Sequence, residues 1–146
     1  MEYDISYSDT ENPTPFGRED IADFLVDHLD EFGDEKRYIL KSIGYAYGDG
    51  DGQDGFILLA HDTGRIAGAV IINHTNMEGY IPEHLLVYIA VHSDYRGEGL
   101  GSKLMERIIS ETDGDIALHV ESDNPAVHLY EKFGFTNKYL EMRLKK

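Results

Sequence analysis

The chain of 146 residues has no cysteine. That excludes disulfides and thiol nucleophiles, and a cytoplasmic location is expected. It has no run of eighteen apolar residues, so no membrane span is expected. Its N-terminus lacks the basic-then-apolar pattern of a secretory signal. Cations are scarce: 13 lysines and arginines stand against 28 carboxylates, for a formal charge of −15. Such a surface repels nucleic acid and anionic lipid. It attracts cations, amines among them, although a soluble acidic surface needs no further purpose. No internal repeat or heptad run is present. With 41% hydrophobic residues, the composition suits a single domain over residues 1–146 with one core.

One stretch carries most of the chemistry. The apolar run Leu85–Val91 ends in a short polar turn, and the turn becomes Arg96-Gly97-Glu98-Gly99-Leu100-Gly101-Ser102. From there Leu100, Leu104, Met105, Ile108 and Ile109 recur at helical spacing, with polar residues on the other face. The pattern predicts a strand, a glycine turn, and a helix that starts inside the glycines. The first turn of a helix has unpaired N–H groups and a partial positive charge. Glycines leave those groups approachable, and Arg96 adds a cation with several donors. This is a cradle for phosphate or pyrophosphate.

Ile89-Ala90-Val91 followed by Arg96, Gly99 and Gly101 resembles the acetyl-CoA-binding motif of the GCN5-related N-acetyltransferases (GNAT), Arg/Gln-x-x-Gly-x-Gly/Ala. A second segment, Asp123-Asn124-Pro125-Ala126-Val127-His128-Leu129-Tyr130-Glu131-Lys132-Phe133-Gly134-Phe135, resembles that family's Asn, short Tyr-bearing helix and Gly-Phe. The two occur in the family's order, and the resemblance covers roughly Phe56 to Leu144. It implies an α/β (α+β) fold: a mixed, mostly antiparallel twisted sheet of six to seven strands flanked by about four helices. It implies acetyl-CoA as cosubstrate and no metal. It implies that Ile89, Ala90 and Val91 pair with the pantetheine arm and that Arg96, Gly97, Glu98, Gly99, Leu100, Gly101 and Ser102 hold the pyrophosphate. Asn124 and Tyr130 then also contact the cofactor, although Asp123 is an alternative for the Asn position. Tyr130 would protonate the leaving thiolate, a task for which a positioned phenol is competent. By itself Tyr130 also reads as a core aromatic at helical spacing.

The general base is open between His84, His119, Glu83 and Glu121, or ordered water. His119 is the residue taken forward, because histidine titrates in the required range and members that acetylate protein N-termini carry a glutamate there. The other histidines read as surface residues.

In chain order, Tyr3 to Tyr7 reads as a first strand. Helices follow from about Arg18 to Leu29 and around Tyr38 to Tyr47, stopped by Gly48. They carry no chemical signature. Gly48–Gly55 alternates glycine with aspartate but misses the spacing of an EF-hand loop, and its composition reads as a flexible connector. Phe56–Ala60 and Ile66–Ile72 form a hairpin through Asp62-Thr63-Gly64-Arg65. His84 to His92 reads as a central strand covered on both faces. Ile116–Val120 is a strand, Asn124-Pro125 starts a helix, and Tyr139–Leu144 alternates as a last strand.

The function these features point to is direct acetyl transfer from acetyl-CoA to a primary amine, with a main-chain N–H of the central strand on the oxyanion. The acceptor is a small molecule, cationic ones included, or a protein N-terminus or lysine. Two other readings remain. A Rossmann-type nucleotide domain would use Gly97 and Gly99, with Glu121 about twenty residues on, but Ser102 stands at the third glycine position. A non-catalytic acyl-CoA sensor or interaction module would keep the cradle and lose turnover. An exposed strand edge near the C-terminus would let two copies pair as a homodimer.

Overall fold

The structure is a computed structural model and describes all residues, Met1–Lys146. The strands are β1 (Glu2–Ser6), β2 (Gly55–Asp62), β3 (Arg65–His74), β4 (His84–Val91) and β5 (Ile116–Ala117). The helices are α1 (Arg18–His28), α2 (Lys36–Ala46), α3 (Leu100–Glu111) and α4 (Ala126–Lys132), with 3-10 turns at Asp30–Phe32 and Ser93–Tyr95. The sheet order is β1-β2-β3-β4-β5, antiparallel except for the parallel β4–β5 pair. This is not a doubly wound parallel sheet, which removes the Rossmann reading. No helix is long and apolar enough to cross a membrane.

Each face of the sheet carries its own core. Alternate residues of a strand point to opposite faces. Ile57, Leu59, Ala69 and Ile71 meet Ile21, Phe24 and Leu25 of α1 and Ile39 and Ile43 of α2. Phe56, Leu58, Val70 and Ile72 meet Leu100, Leu104, Met105 and Ile108 of α3. Those four α3 side chains are buried, each stabilising the helix by roughly 1.5–3 kcal/mol. They hold its N-terminus at the end of β4.

The β2–β3 hairpin turns through Thr63 at φ +50° and Gly64 at φ +78°, the double positive φ of a type I′ turn. Gly55 opens β2 at φ +155°, where a Cβ would lie 2.0 Å from the carbonyl oxygen of Ile72. Only glycine fits there.

Three expectations need correction. The sheet has five strands, not six to seven. Tyr139–Leu144 forms none, because no neighbouring strand takes its main-chain groups, and Ile116–Val120 is a strand only at its first two residues. The Gly48–Gly55 segment is tied down and is not a loose connector. The Arg18 guanidinium bonds both Asp49 carboxylate oxygens at 2.6 and 3.0 Å. The Asp49 N–H donates to the Gly44 carbonyl, and Gln53 N–H closes a turn on Gly50. Arg18 holds the Asp49 carboxyl below its usual range. Finally, β4 is not covered on both faces. Val87, Tyr88 and Ile89 are half-buried and Leu85 is exposed.

The last correction has a geometric cause. Only His84 and Leu85 of β4 pair with β5, after which the strands part. On its other side β4 pairs Tyr88 with Ile71 and Leu86 with Ile72, leaving Val87 as an extra residue. This β-bulge turns Val87 and Tyr88 toward the α1/α2 core while Leu86 and Ile89 face α3.

Candidate active site

The opening beyond Leu85 exposes main chain. The His92 N–H donates to the Ala67 carbonyl on β3. Counting back by twos, Ala90 and Tyr88 also turn their main-chain groups to β3. Ile89 and Val91 therefore turn theirs outward, to the side β5 has left. The Val91 carbonyl accepts from Arg96 Nε at 3.1 Å, while the N–H and C=O of Ile89 and the N–H of Val91 line an open edge.

That edge runs into the glycine turn. Gly97 and Gly99 both adopt left-handed backbone, φ +81° and +82°, and nothing lies within 4 Å of where a Cβ would sit at either. Gly99 caps α3, and the first helical bond runs from Lys103 N–H to Gly99 C=O. The N–H groups from Gly97 to Ser102 bond to nothing in the chain. They form a row of donors at the positive end of a twelve-residue helix with no acidic residue in its first turn. Gly101 allows α4 to cross closely: its Cβ position lies 3.4 Å from Leu129 Cδ2 and 4.0 Å from Val91 Cγ2.

Tyr130 is brought to the same place. Its ring is buried in the α3-side core with Leu100, the cluster that Ile89, Val91 and Leu118 also pack against, and lies 5.9 Å from the Phe135 ring. Its hydroxyl makes no hydrogen bond within the chain and is not sealed from solvent. Burial of the ring pushes the phenol up to about 12, so it stays protonated at neutral pH, as an acid must.

The structure separates other sequence candidates from this cluster. Arg96 points away from the donor row. Its guanidinium donates to the His28 carbonyl at 2.9 Å and to Asp30 at 3.1 Å. It ties the end of α1 to the end of β4. Asn124 is engaged as a helix cap, its Oδ1 accepting from Ala126 N–H at 2.9 Å, and Asp123 is exposed. Glu98 contributes only its main-chain N–H to the donor row, and the residue is exposed on the turn. His119 lies beyond β5 and is exposed, without a hydrogen bond. His84 is buried, its Nε2 on the Asp113 carbonyl and its Nδ1 2.5 Å from His74 Nδ1. Glu83 and Glu121 lie in loops outside the apolar cluster around Tyr130.

Sequence reasoning missed three features. Lys132 Nζ donates to Ser102 Oγ at 3.0 Å, adding a cation beside the donor row. Its place two residues after Tyr130 was the available signal. The hydroxyl of Tyr88, on the opposite face of β4, donates to Asp34. Burial first, and then this carboxylate, push the Tyr88 phenol up. The histidines are not simply surface residues. His61 is buried and bonds Asp4 at 2.7 Å, and His28 stacks on His92 with centroids 4.1 Å apart.

Residues 53–137 match the acetyltransferase (GNAT) domain. Over 60 residues the chain is 37% identical to the mouse (Mus musculus) Cysteine-rich protein 2-binding protein, covering 40% of this chain and 8% of that protein. Over 85 residues it is 31% identical to N-alpha-acetyltransferase 30 of Schizosaccharomyces pombe, covering 55% and 57%. It thus spans under a tenth of the first relative and just over half of the second. Among solved structures, the ribosomal-protein-alanine N-acetyltransferase from Brucella melitensis biovar Abortus 2308 superposes with a TM-score of 0.68 at 16% identity, over all of both chains. The ribosomal-protein-S18-alanine N-acetyltransferase of Escherichia coli does so with 0.66 at 22%, over 92% of this chain and 78% of that one. At these identities the likeness is one of fold. The match over more than half of the sequence, in the segment holding the open edge, the donor row and Tyr130, makes this chain a member of the GNAT acetyltransferase family.

Proposed function

We propose that the chain transfers the acetyl group of acetyl-CoA to a primary amine. The observation that carries this is two sets of unpaired main-chain donors, the open edge of β4 at Ile89 and Val91 and the row Gly97–Ser102, with Tyr130 in the apolar cluster that holds Leu100 and that Ile89 and Val91 pack against. The residues fit the cosubstrate in kind. Six N–H groups at a helix start, with Lys132 next to them, suit a pyrophosphate, and an open strand edge suits an arm that carries amides. Acetyl-CoA, when bound, supplies a thioester as acyl donor.

The chain's own groups would act as follows. The N–H of Ile89 or Val91 would donate to the carbonyl oxygen as charge builds on it. The amine nitrogen forms the C–N bond, the C–S bond breaks, and the Tyr130 proton goes to the departing sulfur. The proton lost by the amine goes to solvent, and solvent returns one to the Tyr130 oxygen. No side chain of the sequence candidates stands ready as a dedicated base, and solvent relay fits the exposed position of His119. The acceptor is a protein N-terminus in this proposal. The support is likeness to N-alpha-acetyltransferase 30 and to acetyltransferases of ribosomal-protein alanine. An acidic chain of −15 would also draw a cationic acceptor toward it.

The test is calorimetric titration with acetyl-CoA, CoA and NAD, followed by turnover on peptides with free N-termini and on small amines. Binding of acetyl-CoA but not NAD, with peptide turnover, is expected. No binding of either CoA species would refute the proposal. Binding with no turnover on any amine would favour an acyl-CoA sensor.

A further inference from the structure

The open edge of β4 has two sides, and they differ. On the α3 side stand Tyr130 and Leu100, with Ile89, Val91 and Leu118 packed against the same core. On the other side Val87 and Tyr88 pack against the α1/α2 core and are half-buried, and Leu85 is exposed. Tyr88 directly precedes Ile89, whose main chain lines the edge. On the proposed function the acetyl group sits at that edge with Tyr130 toward its sulfur. The amine then comes in on the side of Tyr88.

The hydroxyl of Tyr88 is already committed. It donates to the carboxylate of Asp34, which stands between the 3-10 turn Asp30–Phe32 and the start of α2. Burial and that carboxylate keep the phenol protonated. What the pair still offers is lone pairs and one negative charge. Its partner has to be a donor, and a cation makes the stronger bond. The chain supplies none. Lys36 and Arg37, the next cations along the chain, are held by Glu19 and Asp23 at 2.6 and 2.8 Å and by Glu35 at 2.9 Å. Arg96, the cation tied to the same 3-10 turn, is held by Asp30 at 3.1 Å. Asp34 is exposed and has no ion-pair partner.

A carboxylate is a poor partner for the reacting amine itself, which has to be neutral to attack. Asp34 is also reached from the main chain of β4 only through a full tyrosine side chain. Charge and separation both suit a second cation on the same substrate. We propose that Asp34, aimed by Tyr88, holds a lysine or arginine side chain in the first two residues of the acceptor peptide, and so selects N-termini that carry a positive charge near the reacting amine. The assignment rests on acetyl transfer to a protein N-terminus. A long cationic side chain on an extended dipeptide spans such a gap. An exposed ion pair is worth up to about fivefold in binding, and a like charge in its place costs a similar factor. The −15 charge of the chain draws any cation, whereas this pair fixes where on the substrate the cation must be.

The test uses the whole chain and peptides with free N-termini, identical except for Lys, Met or Glu at the first or second residue. Turnover is read as CoA release, and acetyl-CoA binding by calorimetry. The parent is expected to favour Lys over Glu by about tenfold in kcat/KM, with Met between, and the preference should narrow as salt rises. Asp34→Asn should bring the three peptides within about threefold of one another. Tyr88→Phe should weaken the preference, and Asp34→Lys should turn it toward Glu. A misfolded variant cannot give that reversal. Turnover by the parent that does not distinguish Lys from Glu, or a preference for Lys that survives Asp34→Lys, would overturn the subsite and leave the acetyltransferase reading standing. Acetyl-CoA binding without turnover of any of these peptides, or no binding at all, would overturn both.

Discussion

Replacing Tyr130 with phenylalanine removes one hydroxyl and nothing else from the α3-side core. The ring, its contact with Phe135 and its place in the core that Ile89 and Val91 pack against all remain. The hydroxyl has no partner in the chain, so the substitution orphans no donor or acceptor. The stability change is expected within about 0.5 kcal/mol, under about 2 °C in Tm for a chain of this length. Activity should respond very differently. A positioned general acid contributes about 10²–10⁴ in rate, or about 2.7–5.4 kcal/mol. The expected result is a loss of at least about a hundredfold in kcat, with acetyl-CoA affinity within about twofold of the parent. The assay is release of free CoA thiol read with a thiol reagent, and the chain contributes no background because it has no cysteine. Because burial pushes Tyr130 up to about 12, no fall in rate assignable to this group should occur below about pH 11. A kcat within threefold of the parent would refute the acid role. An equal loss in a folded variant that no longer binds acetyl-CoA would show that Tyr130 acts through packing.

Further consequences follow from the same geometry. Gly55→Ala drives a Cβ to 2.0 Å from the Ile72 carbonyl and should destabilise by more than about 3 kcal/mol. Gly64→Ala has no neighbour within 4 Å and should cost only the left-handed penalty of about 1–2 kcal/mol, and urea unfolding separates the two. Arg96→Gln breaks bonds to the His28 and Val91 carbonyls and to Asp30. Since the guanidinium is half-exposed, a loss of about 1–2 kcal/mol is expected, with a smaller effect on acetyl-CoA binding than Gly99→Val, read by calorimetry. His74 is held below its ordinary value of 6.5 by burial and then by His84, and His28 likewise by burial and then by His92. The unfolded chain therefore takes up protons first, and stability falls as pH drops below 6.5. Thermal melts should be flat in this respect between pH 8 and 7 and decline toward pH 5.5, with His74→Gln reducing the slope. An unchanged slope would show that this pair does not couple to folding.

How much of this was legible follows from the range of each signal. Helix α3 is written in its own residues: Leu100, Leu104, Met105 and Ile108 recur on one face and all are buried. Gly97 and Gly99 announced a backbone that only glycine adopts freely, and both have positive φ. Thr63-Gly64 did the same for the hairpin. These are local rules, complete within a dozen residues. Arg96 shows where such rules stop. Its place in the motif was legible, but its partners His28 and Asp30 lie more than sixty residues earlier, and no spacing rule reports them. Asn124 carried two meanings at once, helix cap and cofactor contact, and the structure shows the cap. Tyr139–Leu144 has sound alternation, yet a strand exists only where a neighbour takes its hydrogen bonds, and alternation cannot supply one.

The least legible feature is also the one the site depends on. Leu85–Val91 reads as a fully covered central strand, and by composition it should be one. It is not, because Val87 is an extra residue against β3 and because β5 leaves after Leu85. The bulge bends β4 and changes which face each following residue presents. Without it, Ile89 and Val91 would turn toward the α1/α2 core, away from Leu100 and Tyr130. The early departure of β5 leaves their main-chain groups unpaired, normally a hazard for aggregation. Here the hazard is contained on three sides. Tyr130 and Leu118 pack against the same α3-side core as Ile89 and Val91, Leu129 of α4 closes over Gly101, and Arg96 takes the Val91 carbonyl. What remains open is a slot bounded by main-chain donors, ending at the start of α3. A sheet completed to Val91 would be more stable by several main-chain hydrogen bonds, at about 1 kcal/mol each, and would have no slot. On the proposed function, that forgone stability is recovered when an amide-bearing ligand supplies the missing strand. The chain should therefore gain more Tm from acetyl-CoA than from a pyrophosphate-bearing fragment that reaches only Gly97–Ser102. Equal gains at matched multiples of each Kd, with equal protection of the Ile89 and Val91 amides from hydrogen exchange, would show that the open edge of β4 takes no part in binding.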